Sequence, residues 1–363
     1  MGVTEHLYLK VAEGLRITAE EALVLWEEAP LATLIFLADG VRRRLHPDNT
    51  VGWMIDRNVN ITNICFSQCR FCNFCRTAKS DDAYVTTDPE YDRKISELMA
   101  LGGDQLLLQG GMNPALGLDF YTSLFSRLKQ RWPQLKLHAL GPPEVAFLAR
   151  KEKMDYREVL VALHDAGLDS LPGAGAEILS DRVRKVVSPA KATVDEWLGV
   201  MREAHRLNLP TSATMMFGHA ETVAERMEHL VKLRDLQDEK PEGHDGFITF
   251  IAWPFMDRGT LLAERDGIRS TVTAAEYLRL TAISRLVLDN IPNIQSSILT
   301  VGRETAMVSL HAGANDLGSV MIEENVVSAA GDPFRVDPDT VREIIRDAGF
   351  IPVRRDQRYM PVE

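Results

Sequence analysis

All four cysteines of this 363-residue chain lie within one short stretch, NICFSQCRFCNFCR, at residues 63–76. Their spacing is Cys65-x3-Cys69-x2-Cys72-x2-Cys75. Thiolates act as nucleophiles, as redox groups and as ligands for soft metals. Because the chain has no cysteine elsewhere, the sequence predicts that this loop does redox or metal chemistry.

The residues alone leave three interpretations of the cysteine loop open. Disulfides are disfavoured, because closely spaced cysteines in an otherwise cysteine-free chain usually bind metal or do redox work. A structural zinc site takes four tetrahedral ligands, usually as two pairs separated by about a dozen residues or more. Thiolates grouped in one loop suit an iron–sulfur cluster better. The spacing therefore favours an iron–sulfur cluster over zinc, and zinc over no metal.

The elements that position this loop alternate between strand-like and helical patterns. The predicted strands are 59–65, 102–111, 135–140, 168–178, 211–219, 246–255, 294–302 and 314–320. The predicted helices are 18–45, 89–101, 118–131, 156–166, 193–207, 221–237, 273–289, 303–312 and 338–348. Thr18, with Glu21 three residues later, is a candidate cap for the first helix.

Strands that alternate with helices of this length predict an α/β fold with a parallel sheet, and about eight strands fit a parallel (β/α) TIM-type barrel. We expect an N-terminal helical extension at 1–50, a core barrel at 51–290, and a segment at 291–363 that completes the barrel and ends in a helix. The carboxyl ends of the strands would then form the active site.

The motif Cys65-x3-Cys69-x2-Cys72, after the first predicted strand and with Phe71 before its third cysteine, resembles the signature of radical S-adenosylmethionine (SAM) enzymes. The resemblance implies a [4Fe-4S] cluster held by these three cysteines, whose fourth iron binds SAM. It also implies that Phe71 contributes to the cofactor site. In such relatives the position of Cys75 is usually tyrosine, and a fourth protein ligand would close the open iron, so Cys75 is expected to be a non-ligand.

The same resemblance assigns further cofactor contacts. It implies that Gly110 and Gly111 line the SAM amino group and that Glu177 meets other polar groups of SAM. Basic residues follow Glu177, and of these Arg184 is the candidate partner of the SAM carboxylate. A solvated helix face is the alternative interpretation of these basic residues.

Most of the chain resembles the enzymes of the futalosine branch of menaquinone biosynthesis. The resemblance rests on segments such as DRNVNITNIC, LLLQGGMNP, GLDSLPGAGAEILSDRVRKVVSP, TSATMMFGHAET, LDNIPNIQSSILTVG and GANDLGSVMIEENVVSAAG. It is stronger for the cyclase of that branch than for its sister synthase, which forms a carbon–carbon bond on an enol-ether substrate. It implies a radical cyclisation of a futalosine-derived nucleoside that carries a benzoate, and an electron donor such as flavodoxin or ferredoxin.

Such a substrate needs an apolar wall and partners for its hydroxyl and carboxylate groups. Trp253 is a candidate for the wall, and Gln295, Ser297, Asn315 and Asp316 near late strand ends are candidates for the polar contacts. Ordinary core packing is the alternative for Trp253. Turn or cap roles are the alternative for the polar residues.

Two residues are candidate catalytic groups. His219, at the end of the fifth predicted strand, is a candidate base or hydrogen-bond partner. Glu323, next to Glu324 after the last predicted strand, is a candidate acceptor of the final proton. A structural hydrogen bond is the alternative for the histidine, and a solvated helix start is the alternative for the glutamates.

The net charge and the apolar pattern argue against two classes of partner. The formal net charge is −11, which argues against broad nucleic-acid binding. No apolar run approaches the roughly 20 residues that a membrane span needs, and the N-terminus lacks signal-peptide features. We therefore expect a cytoplasmic enzyme without nucleic-acid or membrane partners. The alternative to an enzyme is a non-catalytic iron–sulfur electron carrier that uses all four cysteines as ligands.

Overall fold

The computed structural model describes residues 2–323 and 336–362. Three helices precede the first strand and pack on one another. They are α1 Val3–Ala12, α2 Ala19–Glu28 and α3 Leu31–Leu45. The cap predicted at Thr18 is confirmed, since its hydroxyl accepts a hydrogen bond from the Glu21 N–H while the Glu21 carboxylate accepts one from the Thr18 N–H.

The described residues form nine short strands, of which the first eight surround a central lumen and the ninth lies outside. They are β1 Thr50–Met54, β2 Asp56–Asn58, β3 Gln105–Leu108, β4 Lys136–Ala139, β5 Thr211–Phe217, β6 Phe247–Pro254, β7 Asn293–Gln295, β8 Asp316–Ser319 and β9 Ile351–Arg354. The strands fall into two sheets with the orders β5-β6-β7-β8-β1-β9 and β2-β3-β4. Every pairing between named strands is parallel.

Two connections close these sheets into a barrel. Ile55 alone separates β1 from β2, so the two act as one bent strand. On the other side, parallel bridges pair His138 with Ser170 and Leu171 with Thr211. These bridges link β4 to β5 through residues 170–171, which occupy the place of the fourth barrel strand. The predicted α/β parallel barrel is therefore confirmed.

Helices on the outside separate the strands. They are α4 Asp88–Ala100, α5 Leu118–Arg131, α6 Pro142–Glu152, α7 Tyr156–Asp165, α8 Asp181–Val187, α9 Val194–Arg206, α10 Val223–Asp238, α11 Leu261–Glu264, α12 Ala274–Val287, α13 Ile298–His311 and α14 Pro338–Asp347. The helices α7, α9 and α10 begin with a capping box from Asp155, Thr193 and Thr222 respectively. Each box satisfies backbone donors that the first turn leaves unpaired.

The C-terminal residues close the lower, N-terminal end of the barrel. β9 pairs with the outer edge of β1 from Thr50 to Trp53. The next residue, Arg355, turns inward and forms a two-pronged ion pair with Asp316 on β8, with N–O distances of 2.5 and 2.8 Å. Gly52 makes room for this pair, since a Cβ atom there would lie 2.3 Å from the Asp316 Oδ2 atom.

The structure corrects three element boundaries. The single helix predicted over 18–45 is two helices, because Pro30 has no N–H to continue the first. Residues 59–65 form only isolated bridges, since side chains of Thr62 and Asn63 bond the carbonyls of Tyr84 and Asp82 instead. The strand predicted over 294–302 ends at Gln295, and α13 begins at Ile298.

Candidate functional site

The cysteine loop leaves the barrel after β2, at the carboxyl end of the strands. Its two ends are tied together, because the Cys65 N–H donates to the Arg76 carbonyl at 3.0 Å and the Arg76 N–H donates to the Asn63 carbonyl at 2.8 Å. Within it, the Cys72 N–H donates to the Cys69 carbonyl at 3.1 Å. These bonds form a compact loop that holds the cysteines on one side of the barrel mouth.

Polar groups surround the sulfur of Cys65. The Ser67 hydroxyl lies 3.0 Å from the Cys65 sulfur and 3.5 Å from the Cys69 sulfur, and the Met112 N–H donates to the Cys65 sulfur at 3.3 Å. Hydrogen bonds from Cys75, Ser67 and Met112 lower the pKa of the Cys65 thiol. Burial raises the pKa of Cys69 to about 11. Metal binding would overcome this burial penalty, since ligand thiols are deprotonated by the ion they bind.

The donor set fits an iron–sulfur cluster. All four cysteines are free thiols. In the part of the chain that the structure describes, no three His, Cys, Asp or Glu side chains converge as a single metal ion would require. Soft sulfur ligands grouped in one loop are the ligation expected of an iron–sulfur cluster.

Cys75 lies in contact with Cys65, the first of the motif cysteines. Its sulfur is 3.4 Å from the Cys65 carbonyl oxygen and 4.0 Å from the Arg76 carbonyl oxygen. A thiol that donates to main-chain carbonyls supports the loop as a small, weakly polar side chain. The expectation that Cys75 is a non-ligand stays a prediction.

The glycine pair after β3 packs directly against the start of the loop. The Gly111 N–H donates to the Thr62 carbonyl at 2.7 Å. A Cβ atom at Gly111 would lie 2.2 Å from the Ile64 carbonyl oxygen, and one at Gly110 would lie 2.9 Å from the Thr62 carbonyl oxygen. Both positions therefore need glycine for close backbone contact. Contact between Gly110–Gly111 and the SAM amino group stays a prediction.

A buried ion pair lies next to the loop. The Lys191 ammonium is 2.8 Å from Glu177 Oε1 and 5.5 Å from the centre of the Phe71 ring. Burial opposes the charge on both groups, but Lys191 holds the pKa of Glu177 below its usual range. Glu177 has a φ of +43°, a left-handed conformation that is uncommon outside glycine. Such strain in a buried acidic residue is a frequent mark of a functional site.

Glu144, at the start of α6, is a second carboxyl in this region. Burial raises its pKa to about 7, while the charge of Lys191 acts in the opposite direction. The sequence reasoning missed both Glu144 and Lys191. Their signal was weak: Glu144 follows the Gly-Pro-Pro turn after a strand, and Lys191 lies in a Pro-Ala-Lys-Ala loop that reads as an ordinary surface turn.

The structure places Arg184 differently from the prediction. Its guanidinium is buried and donates to the carbonyls of Gly175, Ala176 and Ala192. These bonds tie the Glu177 turn to the segment that carries Lys191. Because the guanidinium is occupied by backbone oxygens, it is a poor partner for a ligand carboxylate, and Lys191 is the cation that the structure brings to the site. Arg184 is thus a positioning residue.

A cavity of about 350 Å³ occupies the barrel lumen. Trp253, Gln295 and Ser297 line it, as do apolar side chains such as Leu107, Ile251, Leu317 and Met321. The structure therefore brings three of the five predicted substrate contacts to one cavity. Its mixed lining suits a small molecule with both apolar and polar parts.

The other two predicted substrate contacts have structural partners. The Asn315 carboxamide oxygen accepts bonds from Arg285 and from the Ile294 N–H, each at 2.9 Å, and its nitrogen donates to Asn293. Asp316 is fully buried against Arg355. Neither residue lines the cavity. In this arrangement both side chains stabilise the wall of the barrel, and their contact with a substrate stays a prediction.

His219 lies in a buried network outside the cavity lining. Its Nε2 atom is 2.9 Å from the Met216 carbonyl oxygen, and its Nδ1 atom is 3.0 Å from Glu221 Oε2. Glu221 in turn accepts from Arg226 at 2.8 Å. With both ring nitrogens engaged by the protein, the geometry favours a role in holding the β5 end over the predicted proton transfer.

Glu323 also has strong partners. Its carboxylate is 2.5 Å from the Lys94 ammonium and 3.0 Å from the Arg57 guanidinium, and it does not line the cavity. Two cations therefore hold its carboxylate in place. Glu324 lies outside the described residues. The structure therefore does not bring His219 and Glu323 together with the lumen residues.

Comparisons with known proteins agree with this geometry. Residues 59–233 match the sequence profile of the Radical SAM superfamily, and residues 244–363 match that of the CofH/MqnC C-terminal region. A cyclic dehypoxanthine futalosine synthase from Halalkalibacterium halodurans is 41% identical over 350 residues, covering 96% of this chain and 92% of the relative. An aminodeoxyfutalosine synthase from Thermus thermophilus is 38% identical, covering 97% of this chain and 94% of the relative.

A solved structure supports the fold. The crystal structure of methylornithine synthase (PylB) has a TM-score of 0.72 and 19% sequence identity, and the match covers 96% of this chain and 97% of that chain.

None of the helices in residues 2–323 and 336–362 combines the length and hydropathy needed to cross a bilayer.

Proposed function

This chain belongs to the radical SAM superfamily, and on that premise we propose that it converts dehypoxanthine futalosine to its cyclic form in menaquinone biosynthesis. A bound [4Fe-4S] cluster and SAM would supply the radical chemistry that removes a hydrogen atom from the 4′ carbon of the substrate. That carbon would join the benzoate ring, and the ring would lose one proton and one electron. SAM would be the net oxidant and would end as methionine and 5′-deoxyadenosine, and the electron lost by the ring would replace the one supplied by the reductant.

The observation that carries the proposal is the placement of the three motif cysteines. Cys65, Cys69 and Cys72 lie at the carboxyl end of a closed parallel barrel, beside the buried Lys191–Glu177 pair and above an enclosed lumen. In barrels of this kind the reacting groups come from that end. The match to a cyclase over 92% of its length adds the substrate class.

The residues of the chain have separate tasks. Cys65, Cys69 and Cys72 hold the cluster, while Glu177, Lys191 and Glu144 provide charges for the polar groups of SAM. The barrel walls exclude water from the lumen, which protects a reactive carbon radical from side reactions. Trp253 and its apolar neighbours hold the aromatic ring of the substrate in line for attack.

The reaction also needs a one-electron donor of low potential, and we assign this task to a flavodoxin or a ferredoxin. Four free thiols in one loop suit a reducing compartment, so the proposal places the enzyme in the cytoplasm.

Product analysis tests this function. Anaerobically reconstituted protein is mixed with SAM, a reductant and dehypoxanthine futalosine, and the products are followed by mass spectrometry. The proposal predicts 5′-deoxyadenosine together with a product two hydrogens lighter than the substrate. Cleavage of SAM with no change in the substrate would overturn it. A parallel reaction with the enol-ether substrate of the sister synthase would reveal that activity if it were the true one.

A further inference from the structure

The wall of the lumen that β2 and β3 form is polar, although barrel interiors are more often filled by apolar side chains. Asp56 and Asn58 on β2 and Gln105 at the start of β3 all line the cavity and are 3–5% exposed. Asp56 lies directly opposite Gln105 in the strand pairing. None of the three was singled out by the sequence, and the functions assigned above use none of them.

The hydrogen bonds of Asp56 fix the orientation of its neighbour. Ser319 donates its hydroxyl to Asp56 Oδ1 at 2.5 Å, and the Gln105 amide nitrogen donates to Asp56 Oδ2 at 3.3 Å. The Gln105 carboxamide oxygen therefore points away from Asp56. This oxygen and the Asn58 carboxamide oxygen are both buried without a hydrogen-bond partner. Buried acceptors without donors are unfavourable, so a ligand that supplies donors would be stabilised here.

The charges near this wall disfavour an anionic group there. Among the described lining residues, Arg355 is the one permanently charged cation, and Asp316 already accepts from two of its nitrogen atoms. Tyr359 covers another face of that group, with its ring centre 3.6 Å from the guanidinium carbon. Burial lowers the pKa of His138 to about 4, so this lining histidine is neutral at pH 7.

Hydroxyl groups match these surroundings. The free acceptors are Gln105 Oε1 and Asn58 Oδ1, with the Asp56 carboxyl close by. His138, whose Nδ1 is 2.6 Å from the Ser170 hydroxyl, adds a polar ring on the neighbouring strand. A hydroxyl both donates and accepts, so it can satisfy a mixed set of this kind where a carboxylate cannot.

We propose that Asn58, Asp56 and Gln105 form a subsite that binds the hydroxyl groups of a furanose ring and so selects hydroxylated substrates. The assignment of the ligand as a substrate sugar rests on the function proposed above. With the hydroxyls held against β2 and β3, the aromatic part of the substrate lies against the apolar side chains of Trp253, Ile251 and Leu317.

The test compares ligand binding rather than turnover. Dehypoxanthine futalosine and its 2-deoxy and 3-deoxy analogues are titrated calorimetrically into the SAM-loaded, reconstituted enzyme. The subsite predicts that the wild type binds the parent at least about tenfold more tightly than one or both analogues, because lost hydroxyls leave buried acceptors unpaired. It also predicts that Gln105→Leu binds the parent and the analogues within about twofold of each other.

Two further variants complete the design. Gln130→Leu makes the same substitution at an exposed position of α5 and should keep the wild-type ratio. Asn58→Leu provides an independent test if Gln105→Leu fails to fold, as judged by thermal unfolding and by SAM cleavage without substrate. Equal binding of all ligands by the wild type, or an unchanged ratio in both lumen variants, would overturn the subsite.

Different results would overturn the hydroxyl subsite and the cyclase function. If the enzyme forms cyclic product but shows no hydroxyl selectivity, the subsite is wrong and the function stands. If the wild type selects hydroxylated ligands and the lumen variants do not, yet no cyclic product forms, the subsite stands and the cyclase function is wrong.

Discussion

Lys191 Nζ lies 2.8 Å from Glu177 Oε1, and the two side chains are only 17% and 5% exposed. Burial would lower the pKa of Lys191, but the negative charge of Cys69, once its thiol ionises, and that of the Glu177 carboxylate outweigh it and raise that pKa. The pair therefore stays charged next to the cysteine loop. It is held by the Arg184 bonds to the Glu177 turn and to the carbonyl of Ala192, next to Lys191.

Removing one charge of this pair is expected to destabilise the fold. Lys191→Met leaves Glu177 as an unpaired buried carboxylate, which typically reduces the free energy of unfolding by about 3–5 kcal/mol. Lys191→Met with Glu177→Gln should recover most of that loss, because no buried charge remains. Denaturant unfolding of the single and double variants measures this. If the loss of unfolding free energy in the double variant equalled the sum of the losses in Lys191→Met and Glu177→Gln, the two groups would not interact.

Gly111→Ala should prevent cluster assembly while leaving the barrel folded. The added Cβ would lie 2.2 Å from the Ile64 carbonyl oxygen and 2.8 Å from Cys65 Cβ, so the loop must shift. Iron and sulfide analysis after reconstitution, beside circular dichroism, measures both effects. Gly40→Ala is the matched control: no atom lies within 4 Å of its Cβ, and it should add up to about 1 kcal/mol of helix stability. Full iron content in Gly111→Ala would contradict the close contact.

Cys75→Ser should retain the cluster, whereas Cys72→Ser should lose it. The reason is that Cys75 donates to the Cys65 carbonyl, a role that a hydroxyl can fill. Iron content and the visible absorption of the reconstituted variants separate the two outcomes. If Cys75→Ser loses iron as Cys72→Ser does, then Cys75 is a ligand and the open iron required for SAM is absent.

His229 is expected to make the protein less stable in mild acid. Its Nδ1 atom accepts a hydrogen bond from the Leu179 N–H at 2.9 Å, which only an unprotonated nitrogen can do. Burial lowers the pKa of His229 to about 3, below the value near 6.5 of an unfolded chain. Its contribution is therefore complete above pH 6.5 and is lost as the pH falls from there toward 3.

The slope from this one histidine approaches about 1.4 kcal/mol per pH unit between those limits. His229→Asn keeps an acceptor but cannot titrate, so its free energy of unfolding should fall less steeply between pH 6.5 and 4. The exposed His164→Asn should keep the wild-type slope. Identical slopes in wild type and His229→Asn would rule out a neutral buried imidazole.

Local patterns predicted the elements that carry strong local signals. The Thr18–Glu21 pair marked the start of α2, and the alternation of strands and helices indicated a parallel barrel. The fourth predicted strand, 168–178, is reduced to two bridging residues, because Pro172 follows Leu171 and cannot donate to a strand pairing. β9 was missed because its pairing with β1 joins segments about 300 residues apart, and a local pattern carries no such information.

The residues of the candidate site also differ in how well local sequence patterns predict them. Short-range spacing was sufficient to find Cys65, Cys69 and Cys72, whereas the partner of a charged side chain depends on the whole fold. Arg184 and Asp316 looked available in the sequence, but the fold gives them backbone carbonyls and Arg355 as partners. Lys191 and Gln105 looked ordinary for the same reason, since their burial becomes apparent only once the barrel closes.

The most direct test of the central claim is electron paramagnetic resonance of the anaerobically reconstituted, reduced protein, recorded with and without SAM. The account predicts a [4Fe-4S]⁺ signal whose g-values shift when SAM is added, because one iron is left open by Cys65, Cys69 and Cys72. A signal that is the same with and without SAM would mean a closed, four-cysteine cluster, and would contradict the assignment of this chain as a radical SAM cyclase.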